Sequence, residues 1–152
     1  MKETIAQSVA EVQEHVVAHR RTLHQIPEVG LDLPQTAGYV RKILTELGCI
    51  PQNIGTCGQV VTLGQGERTL LLRADMDALQ VEEHNDLPFC AANGCMHACG
   101  HDMHTAILLG AAEVLKRHEQ ELPCRVKLVF QPGEELCLLY TSPSPRDPKT
   151  SR

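Results

Sequence analysis

Hydrophobic residues recur at steps of three, four and seven over residues 3–25, which is the spacing of an amphipathic helix. This apolar stripe consists of Ile5, Val9, Val12, Val16 and Leu23. We expect the helix to end before Pro27. A second helix is predicted over residues 34–48, because Pro34 stands at its start, Gly48 follows its last turn and one face is apolar. That face carries Val40, Ile43, Leu44 and Leu47.

Three short apolar segments predict strands. They are QVVTLG at 59–64, TLLLRAD at 69–75 and RVKLVF at 125–130. A GQGE turn joins the first two. Residues 80–100 are irregular and polar, whereas residues 104–118 are apolar on most sides and predict a buried helix. Strands that are separated by helices predict an α/β fold, with a sheet that has parallel members and is flanked by helices.

Composition narrows the classes of function. Hydrophobic residues make up 42% and charged residues 22% of the 152 residues, as in a soluble globular domain. The formal net charge of -5 argues against a nucleic-acid partner. The longest apolar run, residues 106–112, is too short to cross a membrane. Seven cysteines in an irregular pattern predict reduced thiols in a cytoplasmic protein.

The end of the chain departs from this design. Residues 136–152 read LCLLYTSPSPRDPKTSR, with three prolines and no periodic pattern. A disordered tail is one interpretation. We favour the other, in which CLLYTSPSPRD resembles translated sequencing-adapter DNA, so that residues 136–152 are non-native and the chain is a truncated piece of a longer protein.

Two strands end in pairs of carboxylates. Asp75 and Asp77 follow one strand, and Glu134 and Glu135 follow another after a Pro-Gly break. In open α/β sheets ligands gather at the carboxyl ends of strands, so we expect both pairs to face one crevice. Adjacent buried carboxylates repel each other, and a nearby cation is the natural compensation.

The segment MHACGHDMH, residues 96–104, supplies further donors for such a cation. Cys99 and His101 can converge if the chain bends at Gly100. A thiolate and an imidazole suit Zn, and carboxylates extend the choice to Mn. The spacing does not decide among the three histidines, which are His97, His101 and His104. Either Asp102 or Thr105 is expected to cap the helix that follows.

Each of these features also has a plain structural interpretation. A Cys-x-His pair is often a buried thiol beside a capping imidazole. The acidic pairs can be a turn and a solvated helix start. Cys90, Cys95 and Cys99 can form a structural zinc site, although their spacings of five and four fit no usual pair. Cys95 and Cys99 can form a redox pair, although their separation is not that of the usual Cys-x-x-Cys motif. All of these interpretations would have to hold at once, which favours the metal site.

Four motifs together resemble the dinuclear-metal amidohydrolases that include hippurate hydrolase, N-acyl-amino-acid amidohydrolase and auxin-conjugate hydrolase. They are RRTLHQIPEVG at 20–30, RADMDAL at 73–79, MHACGHDMHTAILLGAA at 96–112 and VKLVFQPGEE at 126–135. The resemblance implies that residues 1–135 are the N-terminal part of a metallopeptidase-like catalytic domain. It also implies a lid and dimerisation domain, missing here, and a homodimeric parent protein.

The resemblance assigns roles to matching residues. Cys99, His101 and Glu135 correspond to metal ligands. Glu134 corresponds to the general base, and Asp75 to a supporting catalytic carboxylate. Three more residues are expected to orient these groups, namely Asp77, Asp102 and His104.

The implied cofactor is a pair of divalent metal ions. Zn and Mn are the first candidates, and Co and Ni are the alternatives. The implied reaction is hydrolysis of a small N-acyl amino acid, in which Glu134 takes a proton from water and delivers it to the departing amino group. The alternatives are a deacetylase of the N-acetyl-diaminopimelate type and a non-catalytic metal-binding module.

Two departures from the family pattern limit the resemblance. Gln80 stands where the family has proline, in a loop rather than at a ligand position. The family also requires two further histidine ligands from later sequence. We therefore expect the 152-residue chain by itself to bind metal weakly and to be inactive.

Overall fold

The computed structural model describes residues 4–136. Helix α1 spans Ile5–His24, close to the predicted 3–25. Thr4 begins it with a capping box, in which Thr4 Oγ1 accepts a hydrogen bond from Gln7 N and Gln7 Oε1 accepts one from Thr4 N. The predicted tail lies outside the described residues, apart from Leu136. Among the described helices, none has the length and apolar character that a membrane crossing needs.

Helix α2 spans Pro34–Glu46, with its proline in the first turn as predicted. The carboxylate of Glu28 caps its N-terminus from outside the helix. Glu28 accepts hydrogen bonds from Gln35 N at 3.1 Å and from Thr36 N at 2.8 Å. A carboxylate suits this position because it pairs with free N–H groups at the positive end of the helix dipole.

The strands form one four-stranded sheet within residues 4–136. Their bounds are Gln52–Ile54 for β1, Gly58–Leu63 for β2, Thr69–Asp75 for β3 and Arg125–Gln131 for β4. The order is β1-β2-β4-β3. β3 and β4 run parallel, whereas the other neighbours run antiparallel. The predicted α/β fold with parallel members is therefore confirmed, and β1 is an additional strand too short to show a periodic pattern.

The core lies between the sheet and the helices. In β4 the side chains of Val126, Leu128 and Phe130 are buried, whereas Arg125 and Lys127 are exposed, so one face of the strand is covered. The buried partners come from α2 and from helix α3, which spans His101–Arg117. They include Val40, Leu44, Leu109 and Ala112. This packing fixes the strand ends relative to α3.

Helix α3 begins earlier than residue 104, where the sequence placed its start. Gly100 is the N-cap residue, with φ of 87° in the left-handed region that favours glycine. The prediction that Asp102 or Thr105 caps the helix is wrong, because both lie inside it and no side chain bonds to the cap. The earlier start makes His101 the first helical residue.

Helices α1 and α3 approach closely at Gly110. A methyl group added there would overlap the side chain of Val16 on α1. Gly110→Ala is therefore expected to lower the free energy of unfolding by about 1–3 kcal/mol through overpacking. Gly38→Ala in α2 is the matched control: its added methyl group meets no atom within 4 Å, and it should stabilise by about 0.5–1 kcal/mol.

Urea unfolding of the single variants and of the double variant Val16→Ala/Gly110→Ala measures this contact. Because the branched β-carbon of valine restricts its rotamers, the overlap with Val16 should be relieved only when that side chain is shortened to alanine. The double variant should be more stable than the sum of the single changes. Equal losses at Gly38 and Gly110 would contradict the proposed overlap.

Candidate metal centre

The carboxyl ends of β3 and β4 open at the same edge of the sheet because the two strands are parallel. Asp75, the last residue of β3, is in register with Gln131, the last residue of β4. Met76 N donates a hydrogen bond to Gln131 O at 2.9 Å, which keeps the two segments of the chain together at the ends of the strands. The acidic residues after each strand consequently face each other, as the sequence predicted.

Cys99, His101 and Glu135 converge at this edge. One ligand atom from each, a sulfur, a ring nitrogen and a carboxylate oxygen, lies within 4.8 Å of the others. His101 Nε2 is 3.7 Å from Glu135 Oε1 and 3.8 Å from Glu134 Oε2. The turn at Gly100 makes this possible by placing Cys99 before the helix and His101 on its first turn.

The electrostatics of the group favour a cation. Burial lowers the pKa of His101, but the hydrogen bond to Asp77 and the charge of Asp75 outweigh it and raise that pKa to about 9. The pKa of the Cys99 thiol is raised first by its hydrogen bond to Glu135, then by burial and nearby carboxylates. These shifts show an excess of negative charge, and the donor set suits Zn or Mn.

Asp77 organises three of these residues at once. Its main-chain oxygen lies 2.7 Å from His101 Nδ1. Its carboxylate accepts hydrogen bonds from Glu134 N at 3.0 Å and from Glu135 N at 2.9 Å. Burial raises the pKa of Asp77, but the hydrogen bonds from His101 and these two amides outweigh that effect, so its pKa is lowered. Asp77 thus has the contacts expected of a residue that orients ligands.

Asp77→Asn is expected to lower the free energy of unfolding at pH 7 by about 2–3 kcal/mol, because one partly buried main-chain amide then faces an N–H group instead of a charged acceptor. The stabilisation by Asp77 is present above the unfolded pKa of ~3.9 and is lost as the pH falls through the lower folded value. The gap between variant and original chain should therefore close in acid. Urea unfolding at pH 7 and pH 3 measures it, with the exposed Asp86→Asn as control; a gap that does not change with pH would count against the ionised acceptor.

Asp75 lies beside the group of Cys99, His101 and Glu135, and its carboxylate bonds to residues outside that group. Its carboxylate contacts His104 Nδ1 at 2.6 Å and Arg73 Nη1 at 2.8 Å. It also lies 3.7 Å from His101 Nε2. Asp75, His101 and His104 form a second set of converging donor atoms. The predicted catalytic role of Asp75 stays a prediction.

His97 does not belong to either set. It is 5% exposed, and neither ring nitrogen has a hydrogen-bond partner among the described residues. Burial, the largest cause, lowers its pKa to about 4. The structural zinc site of Cys90, Cys95 and Cys99 lacks a geometry here, because the converging groups in residues 4–136 contain neither Cys90 nor Cys95.

The sequence did not single out His24, Arg20 or Glu83. His24 lies 2.7 Å from Asp102 and 3.0 Å from Glu83, and Arg20 lies 3.0 Å from Asp102. The motif RRTLHQIPEVG contains two of these residues, which was the available signal. Their partners lie tens of residues away in the chain, and no local pattern identifies such partners.

Comparison with known proteins identifies relatives of this chain. Residues 71–139 match the model of peptidase family M20/M25/M40. The N-acyl-L-amino acid amidohydrolase of Geobacillus stearothermophilus is 40% identical over 139 residues, which cover 89% of this chain and 38% of that protein. The N-acetyl-L-cysteine deacetylase of Bacillus subtilis is 39% identical over 132 residues, which cover 84% of this chain and 32% of that protein.

A solved structure shows the same fold with substantial sequence similarity. It is a dinuclear metal binding peptidase of the M20 family from Bacillus subtilis, with a TM-score of 0.79 and 33% identity. The match covers 85% of this chain and 38% of that one. The chain thus spans about a third of the length of the curated relatives it matches.

Proposed function

Because the chain belongs to peptidase family M20/M25/M40, we propose that the protein is a metal-dependent amidohydrolase that hydrolyses N-acyl amino acids to a carboxylate and a free amino acid. One observation carries the proposal: sulfur, nitrogen and oxygen donors from two separate segments of the chain, residues 99–101 and Glu135, lie within 4.8 Å of one another. A carboxylate that is not one of these donors, that of Glu134, lies beside them.

In this proposal Cys99, His101 and Glu135 hold one of two divalent metal ions. The chemistry that such ions supply when bound is the acidification of water and the polarisation of an amide carbonyl. Zn and Mn are the preferred metals in this proposal, because the donor set mixes a thiolate, an imidazole and carboxylates. Asp77 keeps the ligands in place through its bonds to the His101 ring and the Glu135 amide.

Glu134 is the proposed proton carrier. Its side chain is 33% exposed and Oε2 lies 3.8 Å from His101 Nε2, so it reaches both the ligand group and the solvent side. Its carboxylate takes a proton from the attacking water. The resulting carboxylic acid then delivers the proton to the amide nitrogen as the carbon–nitrogen bond breaks. The amide of Glu134, held by Asp77, fixes where this carboxylate starts.

Asp75 is proposed as the supporting carboxylate. Its charge faces His101 and its oxygens are held by Arg73 and His104. It thereby keeps His101 oriented toward the ligand group. The substrate of the whole protein is proposed from its relatives, because the names of two of them describe action on N-acyl-L-amino acids and on N-acetyl-L-cysteine.

A chimera tests the function. In the Geobacillus stearothermophilus relative, the 139-residue segment that matches this chain is replaced by the matching residues of this chain. We expect the purified chimera to hydrolyse hippurate and N-acetyl amino acids, to lose this activity on chelation and to regain it with Mn or Zn. N-acetyl-diaminopimelate in the same panel distinguishes the deacetylase alternative.

The unaltered relative is the control for folding, metal content and assay. A chimera that is folded and metal-loaded but hydrolyses none of these amides would overturn the proposed activity. It would instead support the metal-binding module without catalysis.

A further inference from the structure

We propose that His24 is a positioning residue for the metal centre, acting through Asp102 and Glu83; the inference rests on the proposed function. His24 is the last residue of α1 and is 2% exposed. Its Nδ1 lies 2.7 Å from Asp102 Oδ2 and its Nε2 lies 3.0 Å from Glu83 Oε1. One imidazole therefore joins two carboxylates that are 19 residues apart in the sequence.

Both carboxylates are withdrawn from solvent. The Asp102 side chain is 1% exposed and the Glu83 side chain has no exposed area. A buried charge is costly unless it is paired and hydrogen-bonded. Arg20 Nε, 3.0 Å from Asp102 Oδ2, supplies a cationic partner to Asp102. Glu83 has no such arginine among the partners described for it, and so depends on His24 and on amide donors.

Glu83 organises the segment that leads to Cys99. Its Oε2 accepts a hydrogen bond from Ala91 N at 2.8 Å, and its Oε1 accepts one from Asn85 Nδ2 at 3.1 Å. Burial raises the pKa of Glu83, but these bonds and His24 outweigh it and lower that pKa to about 2. The loop from 83 to 91 is thus folded around an ionised carboxylate whose other contact is the end of α1.

Asp102 connects the same imidazole to the other ligand. It follows His101 directly in the first turn of α3, and its Oδ1 accepts a hydrogen bond from Met103 N at 2.9 Å. His24 contacts neither His101 nor Cys99 in the bonds described. Through Asp102 and Glu83, His24 instead holds the first turn of α3, which carries His101, against the loop that leads to Cys99.

This arrangement predicts an effect on metal affinity beyond any effect on folding. Ligands that are held in place before binding need less ordering when the ion arrives. Residues that orient metal ligands typically change affinity by about 10–100-fold when they are replaced. A residue that only fills the core would lower stability, yet leave the affinity of the folded chain unchanged.

The test uses the chimera described above with Co²⁺ as probe, and binding is followed by the thiolate-to-cobalt absorption in the near ultraviolet. His24→Gln keeps a side chain that donates hydrogen bonds, but its single amide group cannot reach both Asp102 and Glu83, which contact the two different ring nitrogens of His24. We expect it to weaken Co²⁺ binding by about 10–100-fold. His19→Gln is the matched control, because His19 lies on the same helix but bonds to Tyr39 at 2.8 Å; its affinity should stay within about threefold of the original.

Glu83→Gln provides a second, milder variant. It should also weaken Co²⁺ binding, and the double variant with His24→Gln should lose less than the product of the two single losses, because both act through one bond. Unchanged Co²⁺ affinity in either folded single variant would overturn the role of His24. Absence of Co²⁺ binding by the unaltered chimera would overturn the metal centre itself, which is a different result.

Discussion

Cys99→Ala in the chimera is expected to remove its thiolate-to-cobalt absorption and to weaken Co²⁺ binding by more than about 100-fold, beyond the range typical of residues that only orient ligands. The reason is that Cys99 supplies the one sulfur donor of the converging group. A thiolate is both a charged and a soft ligand, and no neighbouring oxygen replaces that combination.

The protonation state of the thiol adds a second expectation. The hydrogen bond to Glu135, with burial and nearby carboxylates, raises the pKa of Cys99. The thiol is therefore protonated at neutral pH before metal arrives, and binding has to release that proton. Calorimetry in buffers of different ionisation enthalpy should detect fewer released protons for Cys99→Ala than for the unaltered chimera.

Cys95→Ala is the matched control. Cys95 is in the same segment and is half-buried, and its amide is held by Asn93 Oδ1 at 3.2 Å. This variant should keep the absorption band and the affinity. If Cys95→Ala and Cys99→Ala behave alike, or if the band survives without Cys99, the assignment of the sulfur ligand fails.

The parts of the fold that the sequence predicted are those with a local cause. The apolar periodicity of α1, Pro34 at the start of α2 and the apolar runs of β3 and β4 each act over one element, and each element was found close to its predicted place. The order of the strands has no such cause. β4 lies between β2 and β3 although β2 and β3 are neighbours in sequence, so the GQGE turn does not make a hairpin.

The start of α3 shows how a local rule can fail. Asp102 and Thr105 are good capping residues, yet the helix begins at His101 after Gly100. Both side chains are engaged elsewhere: Thr105 donates to Asp75 O at 2.9 Å, and Asp102 contacts His24. Tertiary partners thus overrode capping preference. The same partners carry His101 to the ligand group.

The sequence predicted the converging residues of the candidate site, but not the contacts that hold those residues in place. Strand ends and the MHACGHDMH segment pointed to the residues that converge, because parallel strands bring their carboxyl ends together. The bonds from Asp77 to two amides and from His24 to two carboxylates join segments more than fifty residues apart. Such contacts follow from packing alone, so a single sequence offers no pattern for them.

Glu134→Gln in the chimera is expected to lower the turnover of N-acyl amino acids by at least about 10²–10⁴-fold, the usual contribution of a positioned acid or base. The amide has nearly the same shape and keeps the main-chain bond from Glu134 N to Asp77. It cannot take up a proton from water or return one to the leaving nitrogen. Metal content should be unchanged, because Glu134 is not among the converging ligand residues of the first group.

Glu135→Gln is the matched variant, since the two glutamates are adjacent and are held by the same aspartate. It should lose metal, and added Mn or Zn should restore part of its turnover. Glu134→Gln should instead stay metal-loaded and inactive at every metal concentration. Because one neighbour is proposed to bind the ion and the other to move the proton, the two responses must differ. Equal behaviour, or a Glu134→Gln chimera within tenfold of full turnover, would place the proton transfer on another group.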